Sequence, residues 1–252
     1  VIKFELSKHL SGAYSKAYPF PHVIIDDFIS NPDELDKSIE EISNFPFWGW
    51  DASKYSLMDD RQINKFWVPW CEQSFYDLED QAPTTLKILN YFNSPEVLDF
   101  LQNLTGIDNL IPDPTFAGGG VHKITSGGKL GIHADYLLHP ETKLHRRLNV
   151  LVYLNKNWQN EWGGNLELWN RDMTECIVSI EPIFNRAVIF NITSDSFHGH
   201  PNSLDTPEGV DRYSFAFYYF TEDRPDHEKN NLETHAVWKK PAEKIDPNIF
   251  KV

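Results

Sequence analysis

The chain has 252 residues, 40 % of them hydrophobic and 14 % aromatic, enough apolar material for a sizeable core and too much for global disorder. It carries 23 Lys and Arg against 37 Asp and Glu, a net charge of −14 with no long basic run, which argues against a nucleic-acid partner. No run of 18 apolar residues is present, so no membrane span is expected. Two cysteines, Cys71 and Cys176, make no disulfide framework and suit a reducing, cytoplasmic setting. The charged start Val1-Ile2-Lys3-Phe4-Glu5 lacks the apolar stretch of a signal peptide.

Residues 18–29 read as an opening strand, with β-branched Val23, Ile24 and Ile25 following two prolines. Asn31-Pro32 then starts a helix, with Asp33 and Glu34 at its positive end and Leu35, Ile39 and Ile42 on one stripe. Residues 45–80 concentrate Trp48, Trp50, Trp67 and Trp70 among four phenylalanines. They are expected to wrap the core, with a lid or a substrate-facing wall as the alternative. Helical patterning returns over 84–92, and Ser94-Pro95-Glu96 opens a further helix that Gly106 stops.

From Pro114 the texture becomes β. Residues 115–124, 131–136, 147–155, 165–169, 176–180, 187–192 and 212–221 are strand candidates, and seven short strands without long helices between them indicate a sandwich or barrel of jelly-roll type. The expected organisation is one domain, with an N-terminal strand and helical support over 1–113, a β core over 114–222 and a loosely packed extension over 223–252.

His133 and Asp135 lie two apart on a strand candidate, so both side chains face one way. A second histidine from a distant strand would complete the two-His, one-carboxylate facial set that holds non-haem Fe(II) with coordination positions open. His198 and His200 share strand parity, so spacing leaves both open, and the small Gly199 suggests room at the metal beside His198. Arg212 heads an otherwise aromatic strand. Buried there, its guanidinium needs an anion, either a protein carboxylate or the far end of a dicarboxylate ligand, and Ser214 on the same face offers a further hydrogen bond. Over 147–155, Asn149, Leu151 and Tyr153 share one face. The polar pair suggests a lined cavity, with Tyr153 as a second donor to the anion that Arg212 holds, or else as a core aromatic. Asn149 and Tyr218 are the candidate substrate-facing residues. Among the remaining histidines, His122 stands out because it leads into the loop before His133, and Gly163-Gly164 is expected to make a structural turn.

The ordered set His133-Ala-Asp135, Arg147 to Trp158 with Tyr153, Gly163 to Trp169, Pro182 to Phe190, His198-Gly and Arg212-Tyr-Ser resembles Fe(II)- and 2-oxoglutarate-dependent oxygenases, most closely the prolyl 4-hydroxylase group, over roughly residues 115–221. The resemblance implies a mainly β (α+β) fold, a double-stranded β-helix of jelly-roll or cupin type supported by N-terminal helices. It implies His133, Asp135 and His198 as iron ligands, Arg212 as the anchor of the 2-oxoglutarate C5 carboxylate and Tyr153 as its hydrogen-bond partner. It further implies Fe(II), 2-oxoglutarate and O2 as the reagents, with ascorbate as a reductant, and hydroxylation of a C–H bond in a proline-containing peptide or protein. A free small molecule is the alternative substrate, and a non-catalytic jelly-roll binding protein the alternative class. The tyrosine that many such proteins place ahead of His-X-Asp is missing from 121–130, so the co-substrate pocket is expected to differ there.

Overall fold

The computed structural model describes residues 2–3, 5–50, 61–139, 141–229 and 232–240. In chain order the elements are helix α1 (Glu5–Lys16), strand β1 (His22–Ile25), helix α2 (Pro32–Ile42) and strands β2 (Trp48–Trp50) and β3 (Gln62–Val68). Helices α3 (Glu72–Gln81), α4 (Pro83–Phe92) and α5 (Pro95–Thr105) follow, then strands β4 (Ile111–Pro112), β5 (Gly120–Ala134) and β6 (His145–Tyr153). The last strands are β7 (Leu166–Trp169), β8 (Cys176–Ile180), β9 (Ala187–Asn191), β10 (His198–His200), β11 (Arg212–Thr221) and β12 (Val237–Trp238).

The strands form one curled antiparallel sheet in the order β1-β9-β6-β11-β5-β10-β7-β8, with β3 and β12 also pairing β5, β2 pairing β3 and β4 pairing β11. Two-residue alternation sets its two faces. Leu148, Val150 and Val152 of β6 and Phe215, Phe217 and Tyr219 of β11 turn to one side, where they share a core with Leu35 and Ile42 of α2, Leu89 and Phe92 of α4 and Phe100 and Leu104 of α5. At the centre of this layer Phe92 stacks on Phe217 with ring centroids 4.0 Å apart and planes 5° from parallel. The opposite face encloses Tyr153, Leu166, Leu168, Val188 and Phe190 inside the curl. The expected β core with helices packed outside it is the architecture observed.

Four expectations change. The segments 115–124 and 131–136 are not two strands around a loop. β5 runs unbroken from Gly120 to Ala134, because β11 and β3 pair its first half and β10 and β12 its second. The sheet is not confined to 114–222, since β1, β3 and β12 join it from outside. The described part of the extension is not loose: Arg224 is 4 % exposed, and Val237 and Trp238 pair with Ala134 and His133. The Trp-rich stretch is only partly a wrapping layer. Residues 51–60 lie outside the described residues, Trp70 is exposed, and β3 is a full member of the sheet.

Candidate metal centre

β10 pairs with β5 so that His198 stands directly opposite His133, and Asp135 follows one residue after β5 ends. The sequence parity is thus realised across two strands. One ligand atom from each of His133, Asp135 and His198 lies within 4.8 Å of the others, and this triad is the metal-compatible cluster found among the described residues. Its histidines come pre-set. His133 Nδ1 lies 2.9 Å from the Gly131 carbonyl and His198 Nδ1 2.8 Å from the Ser196 carbonyl. A carbonyl only accepts, so both Nδ1 atoms carry the proton and both Nε2 lone pairs face inward. These Nε2 atoms lie 3.4 Å from Asp135 Oδ1 and 3.4 Å from Asp135 Oδ2 respectively. Burial lowers the His133 pKa, which favours the neutral ring that a metal needs.

Asp135 is held from behind. Its Oδ2 accepts from Arg146 Nη2 at 2.9 Å and from Asn149 Nδ2 at 2.8 Å. Asn149 Oδ1 in turn accepts from Arg146 Nε and Nη2 at 3.0 and 2.8 Å. The guanidinium is 1 % exposed and lies against the rings of Tyr218, 3.5 Å from its carbon to the centroid, and Tyr136, 4.6 Å. Burial pushes the Asp135 carboxyl up, but the Arg146 charge outweighs it and holds the group well below the usual carboxylate range. The arrangement leaves Oδ1 as the freer oxygen for a cation. Asn149, expected to face substrate, lines the cavity but has its amide committed to Asp135 and Arg146.

The triad opens on a cavity of about 250 Å³ that His122, His200, Arg212, Ser214 and Tyr218 also line. Arg212 is 4 % exposed, and its Nε donates to the Gly164 carbonyl at 2.8 Å. Gly164 adopts φ +73°, and a Cβ there would meet the Leu204 side chain at 2.6 Å and Arg212 Cδ at 3.0 Å, so the glycine turn is what admits the arginine. Among the described residues no carboxylate pairs with Arg212. Tyr153 stands beside it, the guanidinium carbon 5.0 Å from the ring centroid, and the buried phenol has no hydrogen-bond partner among the described residues. Burial raises that phenol's pKa, with the Arg212 charge opposing. Tyr218 donates to the Gly118 carbonyl at 2.9 Å.

His200, the competitor for the metal, is outside the triad. It pairs with Leu130 rather than His133, is 3 % exposed, and neither ring nitrogen has a hydrogen-bond partner among the described residues. Gly199 does not make room at the metal. A Cβ there would meet the Gly131 carbonyl at 2.6 Å, so this glycine lets β10 approach β5. Three lining features lay outside the sequence reading: Arg146, Trp238, which stacks on His133 at 4.7 Å, and Lys65 of β3. Burial draws the Lys65 pKa from 10.5 down to about 8. Among the described charged residues lining the cavity, Lys65, Arg146 and Arg212 are cations and Asp135 is the sole carboxylate.

The donor set fits a divalent first-row metal: two imidazoles and one carboxylate on one side, with open space opposite. The unneutralised Arg212 in the same cavity fits the distal carboxylate of a dicarboxylate chelator.

Residues 119–220 match the family described as 2OG-Fe(II) oxygenase superfamily. The chain is 24 % identical over 186 residues to a prolyl 3-hydroxylase OGFOD1 of Xenopus laevis, covering 71 % of this chain and 31 % of that protein. It is 25 % identical over 206 residues to the Mus musculus OGFOD1, covering 80 % and 33 %. The chain therefore spans about a third of the length of the curated relatives it matches. In fold it is similar to a Trichoplax adhaerens prolyl hydroxylase solved with a hypoxia inducible factor peptide fragment, with TM-score 0.53, 19 % identity, and 87 % and 90 % of the two chains covered.

Proposed function

We propose, from the 2OG-Fe(II) oxygenase domain that residues 119–220 form, that this chain is an Fe(II)- and 2-oxoglutarate-dependent dioxygenase hydroxylating a prolyl residue of a peptide or protein. The observation that carries the reading is Arg212, a buried guanidinium with no carboxylate partner among the described residues, facing the cavity that holds the three candidate ligands. A buried charge left in that state is costly, and a dicarboxylate bridging it to the metal removes the cost.

His133 Nε2, His198 Nε2 and Asp135 would hold the iron. Iron, with 2-oxoglutarate and O2 as co-substrates and ascorbate as a reductant, would supply the oxidising chemistry, with succinate and CO2 as the co-products. The chain's own residues orient and enclose. The Gly131 and Ser196 carbonyls fix both imidazole rings, and Arg146 with Asn149 fixes the carboxylate. Arg212 and Ser214 receive the co-substrate's distal carboxylate, and Tyr153 backs the guanidinium. Trp67, Tyr136, Tyr218 and Trp238 give the cavity flat aromatic walls suited to an apolar pyrrolidine ring. The free Cys71 and Cys176 support a reducing, cytoplasmic setting.

The test begins with anaerobic protein loaded with Fe(II) and titrated with 2-oxoglutarate, read by the metal-to-ligand charge-transfer absorption of the chelate. Oxygen and a library of proline-containing peptides follow, with succinate and a 16 Da mass gain as readouts. Arg212→Met should keep metal binding and lose the 2-oxoglutarate signal. A wild-type protein that binds Fe(II) but gives no such signal would end this reading. Turnover of free metabolites alone would replace the peptide substrate with a small molecule.

A further inference from the structure

Lys65 reaches the cavity from β3, outside the segment that matches the oxygenase family. Its placement is set by register. On β5, Ile124 pairs with Lys65 on one side and with Arg212 on the other, so the two cations stand in one cross-strand row. Residues in register project to the same face, and both side chains line the cavity. The Lys65 ammonium has only the Gln62 side-chain oxygen, 3.4 Å away, as hydrogen-bond acceptor, and no carboxylate ion-paired with it among the described residues. His200 lines the same cavity, 3 % exposed, with both ring nitrogens unpartnered among the described residues. A buried imidazole in that state forfeits hydrogen bonds that it would make in water.

A carboxylate offers about four acceptor positions. Arg212 has already spent Nε on the Gly164 carbonyl, so it can bring only its terminal nitrogens to such a group. Acceptor capacity therefore remains beside it for further donors, and Lys65 and His200 line the same cavity.

We propose that Lys65 and His200 join Arg212 in gripping the distal carboxylate of the 2-oxo acid, which makes Lys65 a residue that selects dicarboxylate over monocarboxylate co-substrates. This rests on the assignment of Arg212 to the co-substrate. The lowered Lys65 pKa accords with a cation that lacks its anion until a ligand arrives.

The experiment titrates anaerobic Fe(II)-loaded protein with 2-oxoglutarate and, separately, with 2-oxopentanoate, which has the same five-carbon chain without the second carboxylate. The chelate absorption is the readout. Lys65→Met should weaken 2-oxoglutarate by roughly ten- to a hundredfold, the span of one charge-assisted hydrogen bond, and leave 2-oxopentanoate unchanged. Lys65→Arg should restore most of the preference. His200→Asn should lower the same preference by a smaller factor. Fe(II) binding and near-ultraviolet circular dichroism confirm that each variant is folded. Unchanged 2-oxoglutarate affinity in Lys65→Met, or equal weakening of both oxo acids, overturns the proposal while leaving the oxygenase reading intact. Absence of any chelate signal in the wild type overturns both.

Discussion

Replacing Lys65 by Met should stabilise the metal-free protein. The change keeps the stem of the side chain and removes an ammonium that sits beside Arg146 and Arg212. Burial lowers its pKa from 10.5 to about 8. At about 1.4 kcal/mol per pKa unit that shift corresponds to roughly 3 kcal/mol, and screening through the cavity mouth reduces the expected gain to about 1–2 kcal/mol. The pH dependence fixes the sign. Between pH 8 and about 10.4 the unfolded chain holds the Lys65 proton more tightly than the folded one, so wild-type stability rises with pH across that window. Below pH 8 the whole penalty is present. Lys65→Met should therefore exceed the wild type by its largest margin at pH 7, and the margin should close as pH approaches 10. Urea unfolding of both proteins with chelator present, at pH 7 and pH 9.5, measures it. If the variant is no more stable at pH 7, or if its margin stays constant with pH, the ammonium is not the strained group described above.

Arg146→Met should cost the metal-free protein about 3–5 kcal/mol, because it strands the Asp135 carboxylate without its buried cation. Saturating Mn(II) should shrink that deficit, since the divalent ion takes over the compensation, and unfolding with and without metal reads the difference. Phe92→Ala removes one half of the parallel ring stack with Phe217 and should cost about 3–5 kcal/mol by chemical denaturation, with little change in Fe(II) affinity. Asp26 forms a bidentate pair with Arg186, which by its hydrogen bonds holds the carboxyl below its usual value. Its stabilisation is present above about pH 4 and fades as pH falls through the depressed folded value, so Asp26→Asn should lose no more than about 1 kcal/mol at pH 7 and match the wild type at the lowest pH at which both remain folded.

The parts legible in the sequence were those with a local signature. β6 and β11 alternate so regularly that their cavity and core faces were correctly assigned, and His133 with Asp135 needed only strand parity. Gly163 and Gly164 were read as a structural turn, and both adopt positive φ. What escaped depends on partners far along the chain. β3 carries Gln62, Lys65 and Trp67 inward, a polar pattern resembling a surface loop until β5, some sixty residues later, pairs with it. Arg146 and Arg147 look alike on paper, but only Arg146 meets Asp135. The candidates 115–124 and 131–136 read as separate strands, yet neighbours on both flanks carry β5 through Gly127 and Gly128 between them. Helix α1 has a weak apolar stripe, and β12 has two residues, too few for any periodicity to show.

The short strand β12 also bears on how the molecule would fail. Val237 and Trp238 occupy backbone hydrogen-bonding positions of β5 at Ala134 and His133, while the indole roofs the His133 ring. A protease cut ahead of Val237 would uncover vacant backbone groups next to a candidate metal-binding imidazole. Such exposed rims recruit strands from other molecules. Loss of β12 should therefore appear first as clumping of the protein and weaker metal binding, well before the helical layer on the other face unravels.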